Sequence, residues 1–271
     1  MTSSDQLPTI QMFWYGPELG RFEQLSLASY LKHDHPVHLY CYNPPSGVPP
    51  GVMVRDASEI LAEERVFRLS GRQQYYNRGS LAGFADWFRY ELLYRRGGIW
   101  SDLDMVCLRP FDFRTRSVFA YEAPERINCA VLGLPAGDKL ARWMSNLCSS
   151  PNRLVPYDTI PRIREKLKRR FLEGNKRDNI QFGEYGPLGL SLAVKHFGRE
   201  REAMPIEAFY PVHYTDWKMI FDAESSMTLS LDGSYGLHLW NEKARQEAGF
   251  NRNGPHPESS LFETLWRRYI A

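Results

Sequence analysis

Apolar positions along this chain change period several times, and each change marks an element. Thr9 to Tyr15 (TIQMFWY) is a near-continuous apolar run closed by Gly16-Pro17, the pattern of a buried strand ended by a breaker. Phe22 to Lys32, with Leu25, Leu27 and Leu31 as its apolar positions, predicts a helix. Val37 to Tyr42 alternates like a second strand, and the run NPPSGVPPG after it predicts a loop. Ala57 to Glu64 predicts a short helix. Strand, helix and strand in this order make a βαβ unit and a Rossmann-like first half.

The strongest helical pattern runs from Arg78 to Arg96. Leu81, Phe84, Phe88, Leu92 and Leu93 recur at helical spacing, and Gly97-Gly98 supplies the stop. Ile99 to Leu108 then predicts a strand closed by Arg109-Pro110, and Val118 to Ala120 and Cys129 to Leu134 predict two more. Helices are expected over Leu140 to Cys148, Arg162 to Glu173 and Gly189 to Phe197, and a last strand over Tyr235 to Trp240. No internal repeat or low-complexity tract interrupts the pattern.

Composition narrows the picture modestly. With 271 residues, 43% hydrophobic and 24% charged, the chain has material for a sizeable core and is not a disordered segment. No long Gly/Ser or Pro-rich linker divides it, so one domain over 1–271 is expected. A net charge of +2 gives no global pull toward nucleic acid. The basic residues do cluster, with eight Lys or Arg between Arg162 and Arg177 against Glu165 and Glu173. Such a run fits first a solvated helix face, with a peripheral contact with anionic lipid head groups or an acidic acceptor as the functional alternative. The four cysteines form no C-x-x-C pair and lie in apolar runs, as buried free thiols do. Without a secretory signal or an apolar run of membrane-spanning length, a cytoplasmic chain is expected, peripheral to a membrane if the basic 162–177 helix docks there.

Chemistry concentrates between Asp86 and Asp104. In an extended strand, residues two apart share a side, so Asp102 and Asp104 would project together. Two such carboxylates repel unless a cation or protons lie between them, and oxygen ligands of this kind suit Mg2+ or Mn2+ rather than Zn2+. Asp86 and Arg89 are three apart on the preceding helix and share a face, and Gly97-Gly98 turns the chain back toward it.

The whole string ADWFRYELLYRRGGIWSDLD resembles the sugar-binding signature of the DXD-containing glycosyltransferases with a GT-A fold. That signature reads S/A-D-x-x-R, then L-Y-x-x-G-G-I-Y/W, then x-D-x-D. Ala85, Asp86, Arg89, Leu93, Tyr94, Gly97, Gly98, Ile99, Trp100, Asp102 and Asp104 occupy its positions. The likeness is greatest to the group of yeast mannosyltransferase-like, α-1,4-galactosyltransferase-like and clostridial glucosylating toxin enzymes. Three shorter elements flank the match. IQMFWYG resembles the family's first strand, which borders the nucleotide. EYGPLGLS resembles its G-P-x-x-L-T/S element near the transferred sugar, and HLWNEK its C-terminal H-x-W-N element.

The resemblance implies an α/β, GT-A-like fold: a Rossmann-type nucleotide-binding half with a mixed, mostly parallel central sheet flanked by helices. Residues of about 1–110 would form the nucleotide-sugar half. Residues of about 111–271 would form the acceptor side and a C-terminal metal and diphosphate element. It implies hexose transfer from a nucleotide sugar, a UDP-sugar rather than a GDP-sugar, to a glycan or lipid-linked oligosaccharide with retention of configuration, in polysaccharide biosynthesis. Asp102, Asp104 and His238 would hold Mn2+ or Mg2+. Asp86, Arg89 and Asp104 would be catalytic. Phe13, Trp14, Tyr15, Asp86, Arg89, Asp102, Asn128, Gly186, Trp240, Asn241 and Lys243 would contact the donor. No carboxylate stands out as a covalent nucleophile, so front-face attack is the expected route.

Two rival readings stay open on sequence. A non-catalytic protein that binds a nucleotide sugar would carry the same pocket. DLDMVCL also satisfies the D-x-D-x-V pattern of haloacid-dehalogenase-type phosphatases. That family, however, needs the motif on its first strand and a downstream acidic pair, and here Arg142 stands where the last Asp belongs.

Overall fold

The computed structural model describes residues 7–70 and 78–270. The chain runs β1 (Ile10–Phe13), α1 (Arg21–Lys32), β2 (Val37–Cys41), β3 (Met53–Asp56), α2 (Ala82–Arg96) and β4 (Gly98–Ser101). A short strand β5 (Met105–Cys107) follows, then the hairpin β6 (Val118–Ala123) and β7 (Arg126–Leu134). Next come α3 (Lys139–Ser149), α4 (Ile160–Phe171), α5 (Pro187–His196) and α6 (Ala223–Ser226). The last elements are β8 (Gly236–His238), α7 (Asn241–Gln246) and α8 (Leu261–Tyr269).

Six strands make one sheet in the order β3-β2-β1-β4-β7-β6. The first four are parallel, and β7 joins β4 antiparallel with β6 beyond it. This is the mixed, mostly parallel GT-A-like sheet that the motif implies. Alternation along the strands assigns each face. Ile10 and Met12 of β1 pack into one core with Phe22 and Leu25 of α1, while Phe13 packs into a second core with Phe84 and Phe88 of α2. Strands covered on both faces read as nearly continuous apolar runs, which is why the first strand was legible.

The crossover through α1 carries the chain to β2 on one side of β1, and the crossover through α2 carries it to β4 on the other. The C-terminal ends of β1 and β4 therefore flank a topological switch point, where open α/β sheets bind ligands. At the opposite, N-terminal end of β4 Gln11 ties the two halves together, because its buried amide donates to the Gly97 carbonyl at 2.7 Å. Gly97 and Gly98 both have positive φ, at 66° and 92°. A Cβ on Gly97 would fall 2.4 Å from the Ala136 amide nitrogen. Only glycine meets both demands, so the pair sets where α2 ends and β4 begins.

Several expected elements differ. The strand expected over Ile99 to Leu108 is broken: β4 ends at Ser101, Asp102–Asp104 form a turn, and β5 pairs with β8 instead of the large sheet. Two serines of α1 draw β5 away, Ser26 donating to the Met105 carbonyl at 2.6 Å and Ser29 accepting from the Cys107 amide at 2.8 Å. Ala57 to Glu64 forms two isolated 3-10 turns, not a helix, and the edge strand β3 precedes them. Helix α2 starts at Ala82, four residues later than the pattern suggested. The basic helix is not uniformly solvated, since Lys166 and Arg169 are buried in it. All four cysteines are free and buried, as expected. Among the described residues no helix is long and apolar enough to cross a membrane.

Candidate active site

The site lies between the first half of α2 and the C-terminal end of β4. On α2, Asp86 and Arg89 face the sheet and are almost fully buried. Arg89 donates through Nη1 to Asp86 Oδ1 at 2.5 Å and through Nη2 to Asp102 Oδ1 at 2.6 Å. The same Asp102 oxygen accepts from the Trp100 indole at 2.6 Å, and the guanidinium lies 4.9 Å from the centre of the Trp100 ring. Cys129 of β7 closes the ring of partners, its Sγ 3.1 Å from Arg89 Nη1. The Asp102 backbone is pinned by its own amide, which donates to the Ala130 carbonyl at 2.7 Å.

Asp104 is placed differently. Strand pairing sets Met105 opposite His238, so the residue before β5 meets the end of β8. His238 Nε2 lies 3.2 Å from Asp104 Oδ2, and the Asn241 amide donates to that oxygen at 2.9 Å. The Asp104 carbonyl also accepts from Leu239 N at 2.8 Å. Asp102, Asp104 and His238 thus offer ligand atoms that all lie within 4.8 Å of one another. The carboxylates converge because a turn brings them round, not because a strand alternates; the shared-side expectation holds for a reason other than the one that motivated it.

Electrostatics follow from burial and these contacts. Burial pushes the Asp86 carboxyl up, and the Arg89 guanidinium offsets part of that. Burial also works against the Arg89 charge, but the carboxylates of Asp102 and Asp86 outweigh it and hold that group well above its ordinary value. Burial raises Asp104 as well, yet the His238 ring and the Asn241 amide bring it below the usual carboxylate range overall. His238 is pulled down by burial and up by Asp104, with a net rise. Two carboxylates and an imidazole, concentrated beside a fixed guanidinium, fit a hard or borderline divalent cation. Among the described residues both side-chain bonds to Asp102 fall on Oδ1, so Oδ2 remains for such a ligand.

Two family models match, without overlap, on either side of this geometry. Residues 53–122 match the glycosyltransferase sugar-binding region containing the DXD motif, and residues 196–269 match the alpha 1,4-glycosyltransferase conserved region. The first match contains Asp86, Arg89, Asp102 and Asp104; the second contains His238 and Asn241. The chain thus carries two regions that match glycosyltransferase families, one of them the sugar-binding region with the DXD motif. Lactosylceramide 4-alpha-galactosyltransferase of Mus musculus is 25% identical over 191 residues, covering 68% of this chain and 46% of the relative. Alpha-1,4-N-acetylglucosaminyltransferase of Homo sapiens is 23% identical over 226 residues, covering 79% of this chain and 58% of the relative. The chain therefore spans about half the length of these curated relatives. It also overlays the solved structure of PaToxG glycosyltransferase with a TM-score of 0.45 and 15% identity over 71% of each chain, a likeness too loose to argue from.

The other expected donor residues are placed differently from one another. Trp14 and Tyr15 lie at the C-terminal end of β1, on the rim of the switch point, and are half-buried. Phe13 is not on the rim: its ring stacks on Phe88 at 4.5 Å inside the core, because alternation turns it inward. Asn128 is likewise spent on the protein, donating to Glu122 at 2.5 Å and accepting from the Ala130 amide at 2.7 Å. Gly186 abuts the site directly, since a Cβ there would fall 3.2 Å from Asp86 Oδ2. Trp240 takes left-handed backbone angles (φ 55°) and donates to the Val212 carbonyl at 2.9 Å, so its ring is a wall beside His238. Asn241 contributes its backbone to Asp104 while its side chain accepts from Arg252. Lys243 is exposed, with its ammonium 5.2 Å from the Tyr214 ring centre.

Four residues at or beside the site carry no assignment from the sequence. Trp100 stood in the matched motif, and its indole N–H was the clue to a carboxylate partner. Cys129 and Arg252 carry no such signal, being brought in by distant pairings, and Glu122 is held within its own hairpin. Glu122 is a buried carboxylate held by Asn128 and Arg126, close enough to raise His238 electrostatically.

Proposed function

We propose that this chain is a glycosyltransferase that moves a hexose from a nucleotide sugar, a UDP-sugar for preference, to a glycan or lipid-linked acceptor with retention of configuration. One observation carries the reading: Asp102, Asp104 and His238 cluster within 4.8 Å beside the buried Asp86–Arg89 pair. Breaking the bond at the anomeric carbon leaves charge on a diphosphate. Asp102, Asp104 and His238 would hold Mn2+ or Mg2+, which when bound supplies Lewis-acid neutralisation of that charge.

The chain's own residues do the rest. Asp86 presents its carboxylate to sugar hydroxyls, and Gly186 leaves room for the ring beside it. Arg89 keeps both Asp86 and Asp102 oriented while its charge balances theirs, so the carboxylates are positioned before the donor arrives. Trp14 and Tyr15 flank the nucleotide end of the crevice. The acceptor hydroxyl attacks on the face from which diphosphate departs, and the departing phosphate takes its proton. Glu122 is the residue to watch in a competing double-displacement route. Trapping with a slow donor followed by mass spectrometry should find no glycosyl ester, and an ester on Glu122 would overturn front-face attack.

The test of the activity is release of nucleoside diphosphate from a panel of UDP- and GDP-sugars with Mn2+ present. At least one donor should be hydrolysed slowly by the parent, and Asp104→Asn should abolish turnover while unfolding at a similar temperature. Donor binding without diphosphate release would instead support a non-catalytic nucleotide-sugar-binding protein.

A further inference from the structure

Helix α4 is arranged inside out. Lys166 is buried and reaches both oxygens of Asp158, at 2.8 and 2.9 Å. Arg169 is buried and makes a two-bond pair with Glu184, at 2.7 and 3.0 Å. Three large apolar side chains go the other way, Ile160 at 67% exposed, Phe171 at 72% and the adjoining Leu172 at 79%, while Ile163 and Leu167 are half-buried. A helix serving only a soluble surface buries its apolar stripe and solvates its charges.

The charge around this apolar surface is positive. Arg164, Lys168, Arg170 and Lys176 are exposed on or beside the helix. Its acidic neighbours are engaged, Glu165 with Arg169 and Glu173 with Lys168. Beyond its C-terminal end opens a cleft of about 1290 Å³, lined by six cations (Arg65, Arg68, Arg153, Arg170, Lys176 and Arg177) against Glu64 and Asp178. A second copy of the chain is a poor occupant, because a two-fold contact would set the same positive patch against itself.

We propose that α4 docks on an anionic lipid surface, with Ile160, Phe171 and Leu172 entering the acyl boundary and the surrounding cations meeting headgroup phosphates. The buried charges explain how such a helix stays attached to the protein: Lys166 and Arg169 clamp it by ion pairs while its apolar groups face outward. The clamp also sets its position. Glu184, which Arg169 holds, lies two residues before Gly186, and Gly186 abuts Asp86. Docking would therefore hold the wall of the sugar pocket at the headgroup layer, a consequence that rests on the proposed transfer to a lipid-linked acceptor.

Vesicle flotation tests the docking by itself. The parent should float with phosphatidylcholine vesicles containing phosphatidylglycerol, hardly at all with phosphatidylcholine alone, and less as salt rises. Replacing Arg164, Lys168 and Arg170 together by Gln should lower partitioning about a hundredfold. Phe171→Ser with Leu172→Ser should lower it about tenfold or more. Both variants should keep the parental melting temperature and solution-phase donor hydrolysis, since the changed side chains are exposed and outside the site. Equal flotation with neutral and anionic vesicles, no flotation, or parental flotation by both variants would overturn the proposal. So would a dimer seen by light scattering that the serine variant dissolves. Failure of donor hydrolysis in the parent, with anionic flotation intact, would instead count against the proposed activity alone.

Discussion

Arg89→Met puts the buried charge cluster to a quantitative test. Arg89 is 3% exposed and supplies the guanidinium that holds Asp86, itself 7% exposed. Methionine keeps much of the stem but leaves the Asp86 carboxylate buried without its cation, and among the described residues the Cys129 thiol, 3.9 Å away, would remain to it. Stranding one partner of a buried pair costs about 3–5 kcal/mol. Asp102 adds little to that sum because its side chain is 30% exposed and water can reach it. At about 2–4 °C per kcal/mol for a chain of this size, the melting temperature should fall by about 10 °C. The pH dependence has a definite sign. Burial already raises Asp86, and losing Arg89 raises it further. A carboxyl with a folded value above its unfolded value binds more protons when folded, so the variant's deficit is full at neutral pH and shrinks as pH falls through that raised value. Asp86→Asn in the same chain should recover part of the loss. Thermal melts of the four proteins of this double-mutant cycle, between pH 5 and 8 and without added metal, measure both effects. If Arg89→Met melts within about 2 °C of the parent at neutral pH, the guanidinium is not desolvated and the rigid pocket inferred from it does not exist.

Gly97→Ala should destabilise the protein by about 1–3 kcal/mol or more, because the new Cβ meets the Ala136 backbone at 2.4 Å and φ is positive; chemical denaturation with and without donor checks this. His35 gives an acid-side effect. Its Nε2 accepts from the Phe111 amide at 2.9 Å and its Nδ1 faces the Pro8 carbonyl at 2.9 Å, so the neutral ring fits, and burial lowers its pKa. Stability from this residue should be complete above the ordinary histidine value of about 6.5 and be lost as pH falls from there through the lowered folded value. Melting curves of the parent and of His35→Gln across that range should converge on acidification, and parallel curves would refute the assignment.

The chain was most legible where local pattern and final structure obey the same rule. β1 and β2 are apolar because both faces are covered, and α2 shows its stripe and its glycine stop. The D-x-D motif was visible, but its geometry was not. Nothing between Ile99 and Leu108 is a glycine or proline, so the pattern gave no hint that Asp102–Asp104 turn. The turn exists because Ser26, Ser29 and β8 recruit β5, all of them far away in the chain. Phe13 and Asn128 illustrate the converse limit. Each sits at a position that the motif points to, and each is absorbed by a neighbour, Phe88 or Glu122, that only the fold supplies. The basic helix was readable as a charge run, yet its buried Lys166 and Arg169 depend on Asp158 and Glu184, outside the helix itself.

The proposed transfer chemistry turns on whether two carboxylates and an imidazole grip a divalent cation. Electron paramagnetic resonance of free Mn2+, titrated against the protein with UDP present, reads that directly. The parent should remove one equivalent of Mn2+ from solution, and Asp104→Asn and His238→Gln should each leave nearly all of it free while keeping their fold. Parental uptake by Asp104→Asn would contradict the metal centre and the transfer chemistry built on it.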